Sequence, residues 1–205
     1  MYSERVFFEL DAPISFSAPD ENVDVVIIPS NELKVTFMID YKHPYLGTQY
    51  TWLPSLDYYE KEFAGARTFC FINEILYLKK AGLIKGGSLE NALVIGEPNM
   101  KEEELKQLQD IFGYHKPVTV SDEGILNSHA LRYYNEFVRH KVCDLLGDMA
   151  LLGLPIKGHI LAARSGHKTN VELVKKLRQI QKTNELKQIY QKKKCKDVVF
   201  DINAI

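Results

Sequence analysis

The hydrophobic and polar positions of the first forty residues predict β-structure. Residues 5–10, 23–29 and 33–39 are rich in β-branched and aromatic side chains, which favour strands. The last of these stretches alternates strictly, with Val35, Phe37 and Ile39 on one side of the chain and polar or flexible residues on the other. Because 30–32 supply a turn, we expect these three stretches to form an antiparallel opening sheet.

The next stretch of strong pattern, residues 66–95, predicts a β-α-β unit. An apolar strand over 66–72 is followed by a helix over 74–81, with Asn73 as its N-cap and Gly82 as its C-terminal stop. A second short strand is expected over 92–95. Parallel strands joined by a helix are the usual result of this order of elements.

The remainder of the chain is mainly helical in pattern. A charged helix is expected over 101–112, an amphipathic helix from 137 to about 152, a strand over 156–163, and a helix opened by a capping box at 169–172. We expect an α+β fold, a two-layer sandwich of a mainly antiparallel sheet and helices. Residues 1–183 form the domain, 66–95 an inserted β-α-β unit, and 184–205 a basic linker toward a following domain.

The amphipathic helix carries candidate chemistry on its polar face. His140, Asp144 and Asp148 are spaced four residues apart, so they fall on one side of a helix. An imidazole and a carboxylate one turn apart can reach the same metal ion. The same spacing also arises by chance on a solvated helix face, and spacing alone does not separate the two interpretations.

Composition and charge exclude several classes of function. The formal net charge is -1, so no overall field recruits nucleic acid or a membrane surface. The three cysteines have neither the number nor the spacing of a disulfide framework or a zinc knot, which favours a reducing, cytoplasmic compartment. No apolar run reaches the ~20 residues of a membrane span, and the first residues lack the layout of a signal peptide.

Four separated stretches together resemble one family. In order along the chain they are Ala66-Arg-Thr-Phe69, Lys85-Gly-Gly-Ser88, Glu136-Phe-Val-Arg-His-Lys-x-x-Asp-x-x-Gly-Asp148 and Ser165-Gly-His167. The chain resembles, over about residues 4–182, the second domain of UDP-3-O-acyl-N-acetylglucosamine deacetylase. That family is zinc-dependent and commits a UDP-sugar to lipid A synthesis.

The resemblance implies a zinc hydrolase site with roles for individual residues. His140 and Asp144 become two of three zinc ligands, and Asp148 orients His167. A neighbouring carboxylate favours the protonated form of that imidazole, which then acts as an acid or electrostatic partner. Thr68 is expected to hydrogen-bond the acetamide carbonyl or the oxyanion.

The resemblance also implies a set of substrate contacts. Lys141 is expected to contact the diphosphate or the sugar of the UDP-linked acyl-glucosamine substrate. The β-α-β unit is expected to form an apolar tunnel for the acyl chain. Thr68 and Lys141 also fit ordinary strand and surface roles, and the apolar residues of the unit fit a small core equally well. The full expected set of substrate-binding residues is Lys141, Phe69, Phe71, Ile75, Gly87, Ser88 and Arg164.

The chain departs from the family pattern in one important respect. The family takes its third zinc ligand and general base from a Glu-His pair in an N-terminal domain, and this sequence contains no Glu-His dipeptide. We expect the chain to be the second domain of a longer enzyme, carrying half of the active site and inactive alone. Self-association through the face that the missing domain would cover is a further expectation.

One alternative function remains open at this point. A non-catalytic binding module for a nucleotide sugar or an acyl lipid would explain the same domain without requiring the missing half. The last ten residues resemble the lead-in to a 3-hydroxyacyl-carrier-protein dehydratase, which some bacteria fuse behind this deacetylase. Residues 97–127 are longer than we expect for the family, and no chemistry is assigned to them.

Overall fold

In a computed structural model of the chain, residues 6–82, 91–97, 100–113, 117–126 and 130–199 are described. The strands in these ranges are β1 Phe8–Glu9, β2 Ile14–Ala18, β3 Val23–Ile28, β4 Lys34–Asp40, β5 Thr48–Leu53, β6 Thr68–Phe71, β7 Ala92–Ile95, β8 Ile156–Lys157 and β9 His159–Ala163. The α-helices are α1 Tyr59–Glu62, α2 Ile72–Lys80, α3 Glu102–Phe112, α4 Glu136–Met149 and α5 His167–Val199. Short 3-10 turns lie at Pro19–Glu21, Leu56–Tyr58 and Ala150–Leu152.

The largest sheet has five strands in the order β2-β3-β9-β4-β5. Its neighbouring strands are antiparallel except for the β4–β9 pair, which is parallel. Helices α4 and α5 pack together, and α4 lies against β4 and β5. The fold is therefore α+β, with a layer of helices on a mainly antiparallel sheet, as predicted.

The core lies between the sheet and these two helices. The alternation predicted for β4 is confirmed, because Val35, Phe37 and Ile39 are fully buried. The facing side of α4 contributes Val138, Val142 and Leu145, and α5 contributes Leu173, Val174 and Leu177, all of them buried. Burial of this continuous apolar surface fixes how the helices lie on the sheet.

The predicted order of the opening strands is wrong. β3 and β4 do not pair with each other, because β9 lies between them. β1 leaves this sheet altogether and pairs with β8. Alternation identifies the buried face of a strand but not its neighbour, so a partner strand from a distant part of the chain, as β9 is for β3 and β4, is not visible in the local pattern.

The β-α-β unit forms as predicted, with small differences at its helix. β6 and β7 are parallel and in register from Thr68 with Ala92 to Phe71 with Ile95. Asn73 lies inside α2 rather than capping it, and its amide donates to Glu97 Oε1 at 3.0 Å. A second small core, distinct from the main one, joins this unit to α3 and the following loop through Ile72, Ile75, Val94, Leu108, Val118 and Leu126.

Two predictions about the last helix are corrected. The helix begins at His167 rather than with a capping box at Thr169, whose hydroxyl instead accepts the Gly166 N–H at 3.0 Å and donates to the Gly166 carbonyl. The segment predicted as a linker from residue 184 is helical as far as Val199. Residues 167–199 contain neither Gly nor Pro and many good helix formers. Residues 200–205 lie outside the described residues.

Two strands, β2 and β5, were not predicted. In β5 the side chains that face away from the core are Tyr50 and Trp52, which are 76% and 59% exposed, while Thr51 and Leu53 are buried. Large aromatic residues on the exposed side conceal the alternation. Among the described residues, none of the helices combines the length and apolar character that a membrane crossing requires.

Candidate active site

The candidate site is built on the polar face of α4, as the spacing predicted. His140, Asp144 and Asp148 lie along this face and are each only partly exposed. The opposite face, with Val138, Val142 and Leu145, is buried against the sheet. Core packing on one side therefore fixes which side chains the helix presents on the other.

His140 and Asp144 converge at their free ends. His140 Nε2 lies 3.2 Å from Asp144 Oδ1. The other ring nitrogen of His140, Nδ1, lies 3.1 Å from the Ala66 carbonyl oxygen. A carbonyl oxygen can only accept a hydrogen bond, so Nδ1 carries a proton and Nε2 is the atom left to face Asp144.

Lys141 takes the second oxygen of Asp144. Its ammonium donates to Asp144 Oδ2 at 2.7 Å, and both side chains are largely buried. Burial by itself raises the pKa of Asp144, but the hydrogen bonds and positive charge of His140 and Lys141 outweigh burial and hold that pKa well below its usual range. Asp144 is therefore an ionised carboxylate with one oxygen engaged by lysine and one facing His140.

His167 and Asp148 form a second pair one turn farther along α4. His167 Nδ1 lies 2.9 Å from Asp148 Oδ2, and its Nε2 lies 3.8 Å from Asp144 Oδ1. Asn170 is almost fully buried and donates to the same Asp148 oxygen at 2.8 Å. Because α5 begins at His167, the imidazole stands at the helix end, 67% exposed.

Thr68 and the aromatic residues after it approach the site from β6. Thr68 is exposed at the first position of the strand. The Phe69 ring packs edge-on against Phe137 of α4, with the centroids 5.2 Å apart, and against Tyr41 at 5.8 Å. Phe71 contacts Tyr41 at 5.5 Å. Burial, together with the carboxylates of Glu74 and Asp144, raises the pKa of Tyr41.

The remaining predicted substrate residues fall in different places. Ile75 is 2% exposed and belongs to the second small core, so the core alternative describes it in this structure. Gly87 and Ser88 lie outside the described residues. Arg164 precedes Ser165 and His167, and its guanidinium hydrogen-bonds the Asn22 carbonyl and lies 3.6 Å from Asp24 Oδ2.

A cleft of about 310 Å³ lies beside Arg164. It occupies the edge of the sheet where the parallel strands β4 and β9 both end. The residues that line it are Glu21, Asn22, Ile39, Asp40, Tyr41, Lys42, Arg164 and Ser165. Arg164 adopts a left-handed backbone conformation, with φ of 60°, which non-glycine residues adopt only where their surroundings require it.

Sequence reasoning missed four residues that support the site. Glu136 lies one turn before His140 on α4 and forms a buried ion pair with Arg67, although both residues stand inside the quoted motifs. Asn170 supports Asp148, and Tyr41 lies against Phe69. A charged pair at a residue separation of 69 has no local signal, and the only hint was that both stretches belong to one resemblance.

Across the described ranges, no group of three or more His, Cys, Asp or Glu side chains is arranged to hold a metal ion. His140 and Asp144 form a histidine–carboxylate pair whose two members both lie on α4. Two exposed large apolar side chains, Tyr134 and Leu151, lie in the chain just before and just after α4. Self-association through the face that the missing domain would cover stays a prediction.

The fold and the site together define a class, an α+β domain that presents a histidine and carboxylate cluster on one helix face. The sequence matches the family described as UDP-3-O-acyl N-acetylglycosamine deacetylase over residues 2–118 and 112–179. The chain belongs to this family, and the family predicted from the four motifs is confirmed.

Curated relatives carry names from the same family. The bifunctional enzyme LpxC/FabZ of Chlorobaculum tepidum is 43% identical over 97% of this chain and 43% of its own length. The UDP-3-O-acyl-N-acetylglucosamine deacetylases of Aquifex aeolicus and Leptospira biflexa are 40% and 37% identical, over 86% and 92% of this chain. These matches cover 52% and 56% of the two relatives. The chain thus spans about half the length of the curated relatives it matches.

Proposed function

We propose that this chain is the second domain of a zinc-dependent deacetylase that removes the N-acetyl group from UDP-3-O-(3-hydroxyacyl)-N-acetylglucosamine. Family membership and the names of the relatives support the reaction class. The observation that carries the proposal is the convergence of His140 Nε2 and Asp144 Oδ1 at 3.2 Å. The reaction is the committed step of lipid A biosynthesis, as the resemblance implies.

The two donor atoms fit a zinc ion. Bonds of about 2.0–2.2 Å in a tetrahedral arrangement separate two ligand atoms by roughly 3.3 Å, close to the observed distance. The Ala66 carbonyl fixes the proton on the far nitrogen of His140, as the outer partner of a metal-bound imidazole does. Zinc bound here would act as a Lewis acid and lower the pKa of a water molecule in its open position.

His167 is suited to hold a proton close to the reacting group. Since Asp148 accepts from Nδ1, the second proton of the imidazolium lies on Nε2, which faces Asp144 and the open side of α4. Asn170 holds the Asp148 carboxylate in place. The chain thus supplies a supported acid whose charge would stabilise a developing oxyanion.

Substrate contacts are proposed for the residues around this pair. Thr68 is exposed and lies two residues after Ala66, whose carbonyl contacts His140. Its hydroxyl can donate a hydrogen bond to the acetamide carbonyl of the substrate. Phe69 and Phe71 offer aromatic surface toward the acyl chain, and Lys141 and Arg164 offer positive charge toward the diphosphate. In this structure Lys141 and Arg164 already bind Asp144 and the 22–24 turn, so they position neighbouring groups as well.

The remaining ligand and the general base are expected from another domain. His140 and Asp144 leave a zinc ion short of the three protein ligands of a catalytic site. We therefore propose that this chain has no deacetylase activity by itself and gains it when combined with a domain that carries the Glu-His pair. A full deacetylation rate from the isolated chain would contradict this.

Calorimetric titration with zinc chloride tests the proposal directly. We expect weak binding to the unmodified chain and its loss in His140→Ala. His159→Ala is the matched control, because His159 lies in the sheet and bonds Thr36 at 2.9 Å rather than the site. Binding that survives in His140→Ala would place the metal elsewhere, and the absence of binding to the unmodified chain would favour the non-catalytic module.

A further inference from the structure

The carboxylate of Glu136 is the most densely bonded side chain beside the site. Oε1 accepts from the backbone N–H and from Nε of Arg67, both at 2.8 Å. Oε2 accepts from Arg67 Nη2 at 3.0 Å and from the Arg132 backbone N–H at 2.7 Å. Glu136 is completely buried and Arg67 nearly so. All four acceptor positions of the carboxylate are thus filled by nitrogen donors.

Stability alone is a weak reason for such a pair. Taking two charges out of water carries a large desolvation cost, and well-packed apolar residues of similar volume often stabilise a fold at least as well. An apolar pair cannot hydrogen-bond the main chain, so it cannot hold a main-chain segment in a defined position as Glu136 does here. Glu136 holds both the guanidinium and the backbone N–H of Arg67, and Arg67 Nη2 also donates to the Ala130 carbonyl at 3.0 Å.

The segment fixed in this way is the one that contacts His140. The residue before Arg67 is Ala66, whose carbonyl accepts from His140 Nδ1 at 3.1 Å. Glu136 and His140 stand one turn apart on the same face of α4. Two neighbouring turns of the helix therefore bind two neighbouring residues of the segment, Arg67 and Ala66. The residue after Arg67 is Thr68, which opens β6.

We propose that the Arg67–Glu136 ion pair is a positioning device for the site. It holds the Ala66 carbonyl against His140, which keeps the ring proton on Nδ1, leaves Nε2 facing Asp144, and sets the place of Thr68. Both side chains are buried, so the role proposed for them is to position other groups rather than to contact substrate. The metal-related purpose of this device rests on the proposed function, whereas the structural coupling between the ion pair and the His140 ring does not.

Ring ¹⁵N NMR on the metal-free chain with ¹⁵N-labelled histidine tests the coupling. The Nδ1–H of His140 should give a proton resonance shifted downfield by its hydrogen bond, identified by its disappearance in His140→Ala. We expect this resonance to shift or vanish in Glu136→Gln while the rest of the spectrum remains that of a folded protein. Arg67→Lys keeps the backbone N–H and the positive charge but loses the pair of hydrogen bonds from Nε and Nη2 to Glu136. It should therefore shift the resonance less than Glu136→Gln does.

A purely structural pair predicts a different result. Leu177→Ala, at a buried position of α5, provides a comparably destabilised control whose ring resonance should stay in place. An unchanged His140 resonance in folded Arg67→Lys and Glu136→Gln would overturn the proposal. If Glu136→Gln does not fold, Arg67→Lys decides between the two outcomes.

Zinc chloride titration separates this proposal from the proposed function. Loss of an outer partner typically weakens metal binding about 10–100-fold, so Arg67→Lys should bind zinc more weakly than the unmodified chain by a factor in that range. A shifted resonance together with no zinc binding to the unmodified chain would leave the positioning role standing and remove the zinc site. Equal zinc affinity in both chains, with an unshifted resonance, would overturn the positioning role alone.

Discussion

One ring nitrogen decides what His140 can do. The Ala66 carbonyl fixes the proton on Nδ1, and the opposite nitrogen is thereby turned toward Asp144 at 3.2 Å. The carboxylate in turn has one oxygen occupied by Lys141. The two neighbours, Ala66 and Lys141, together leave one nitrogen of His140 and one oxygen of Asp144 facing each other.

At Gly124 the ring of Tyr45 leaves no room for a side chain. The φ of Gly124 is +77°, and a Cβ there would overlap the ring of Tyr45. We expect Gly124→Ala to lower the free energy of unfolding by about 1–2 kcal/mol from the left-handed conformation and by about 1–3 kcal/mol more from the overlap. Urea unfolding followed by circular dichroism measures the loss.

Gly113 provides the matched control for this substitution. It also has a positive φ, +65°, but among the described residues beyond its own helix and chain neighbours no heavy atom lies within 4 Å of where its Cβ would be. Gly113→Ala should therefore show the conformational cost alone. Equal losses at the two positions would mean that the 121–124 turn does not press on Tyr45 in solution.

At the scale of elements, we expect the two parts of α5 to contribute differently to stability. Where its side chains are described, the buried apolar residues are Leu173, Val174 and Leu177, and Ile180 packs against the same core with partial exposure. Residues 184–196 are mainly polar in sequence, so deletion of residues 184–205 should reduce the helical circular dichroism signal but leave the melting temperature nearly unchanged. Leu177→Ala should instead cost about 2–5 kcal/mol, because it opens a cavity in the main core. A large drop in melting temperature on truncation would contradict this division.

The elements also show how far sequence reasoning reaches. The faces of α4 and the β-α-β unit were predictable because their periodicity is local and strong. The two exposed aromatics of β5 concealed its alternation, and the place of β9 between β3 and β4 has no local signal. The site divides in the same way: the common face of His140, Asp144 and Asp148 follows from their spacing, but the Arg67–Glu136 pair and the Asn170 contact depend on distant segments coming together.

At the scale of the whole molecule, Glu136 makes the free energy of unfolding depend on pH. Burial raises the pKa of this carboxyl, but the hydrogen bonds and charge of Arg67 and the Arg132 N–H outweigh burial and lower it overall. A carboxyl whose pKa is lower in the folded state stabilises that state fully above its unfolded value of about 4.3. The stabilisation is lost as the pH falls through the lowered folded value.

Melting temperatures between pH 3 and pH 7 check this expectation. The unmodified chain should exceed Glu136→Gln by its largest margin at pH 5 and above, and the margin should shrink as the pH falls below about 4. Glu9→Gln, which removes a carboxylate from the exposed pair with Lys157, should show little dependence of this kind. A margin that does not change with pH would mean that Glu136 is not ionised in the folded protein.

The position of β9 at the centre of the sheet has a consequence for the order of events during folding. Thr36 and His159 touch across that central pairing although they are 123 residues apart in the chain. Loop closure over such a distance is entropically costly and is typically slow. His167 follows directly after β9, so it reaches Asp148 only when the last strand has docked. We therefore expect the candidate site to be assembled late, and a ligand that recognises the paired His167 and Asp148 should report on chains that have completed their folding.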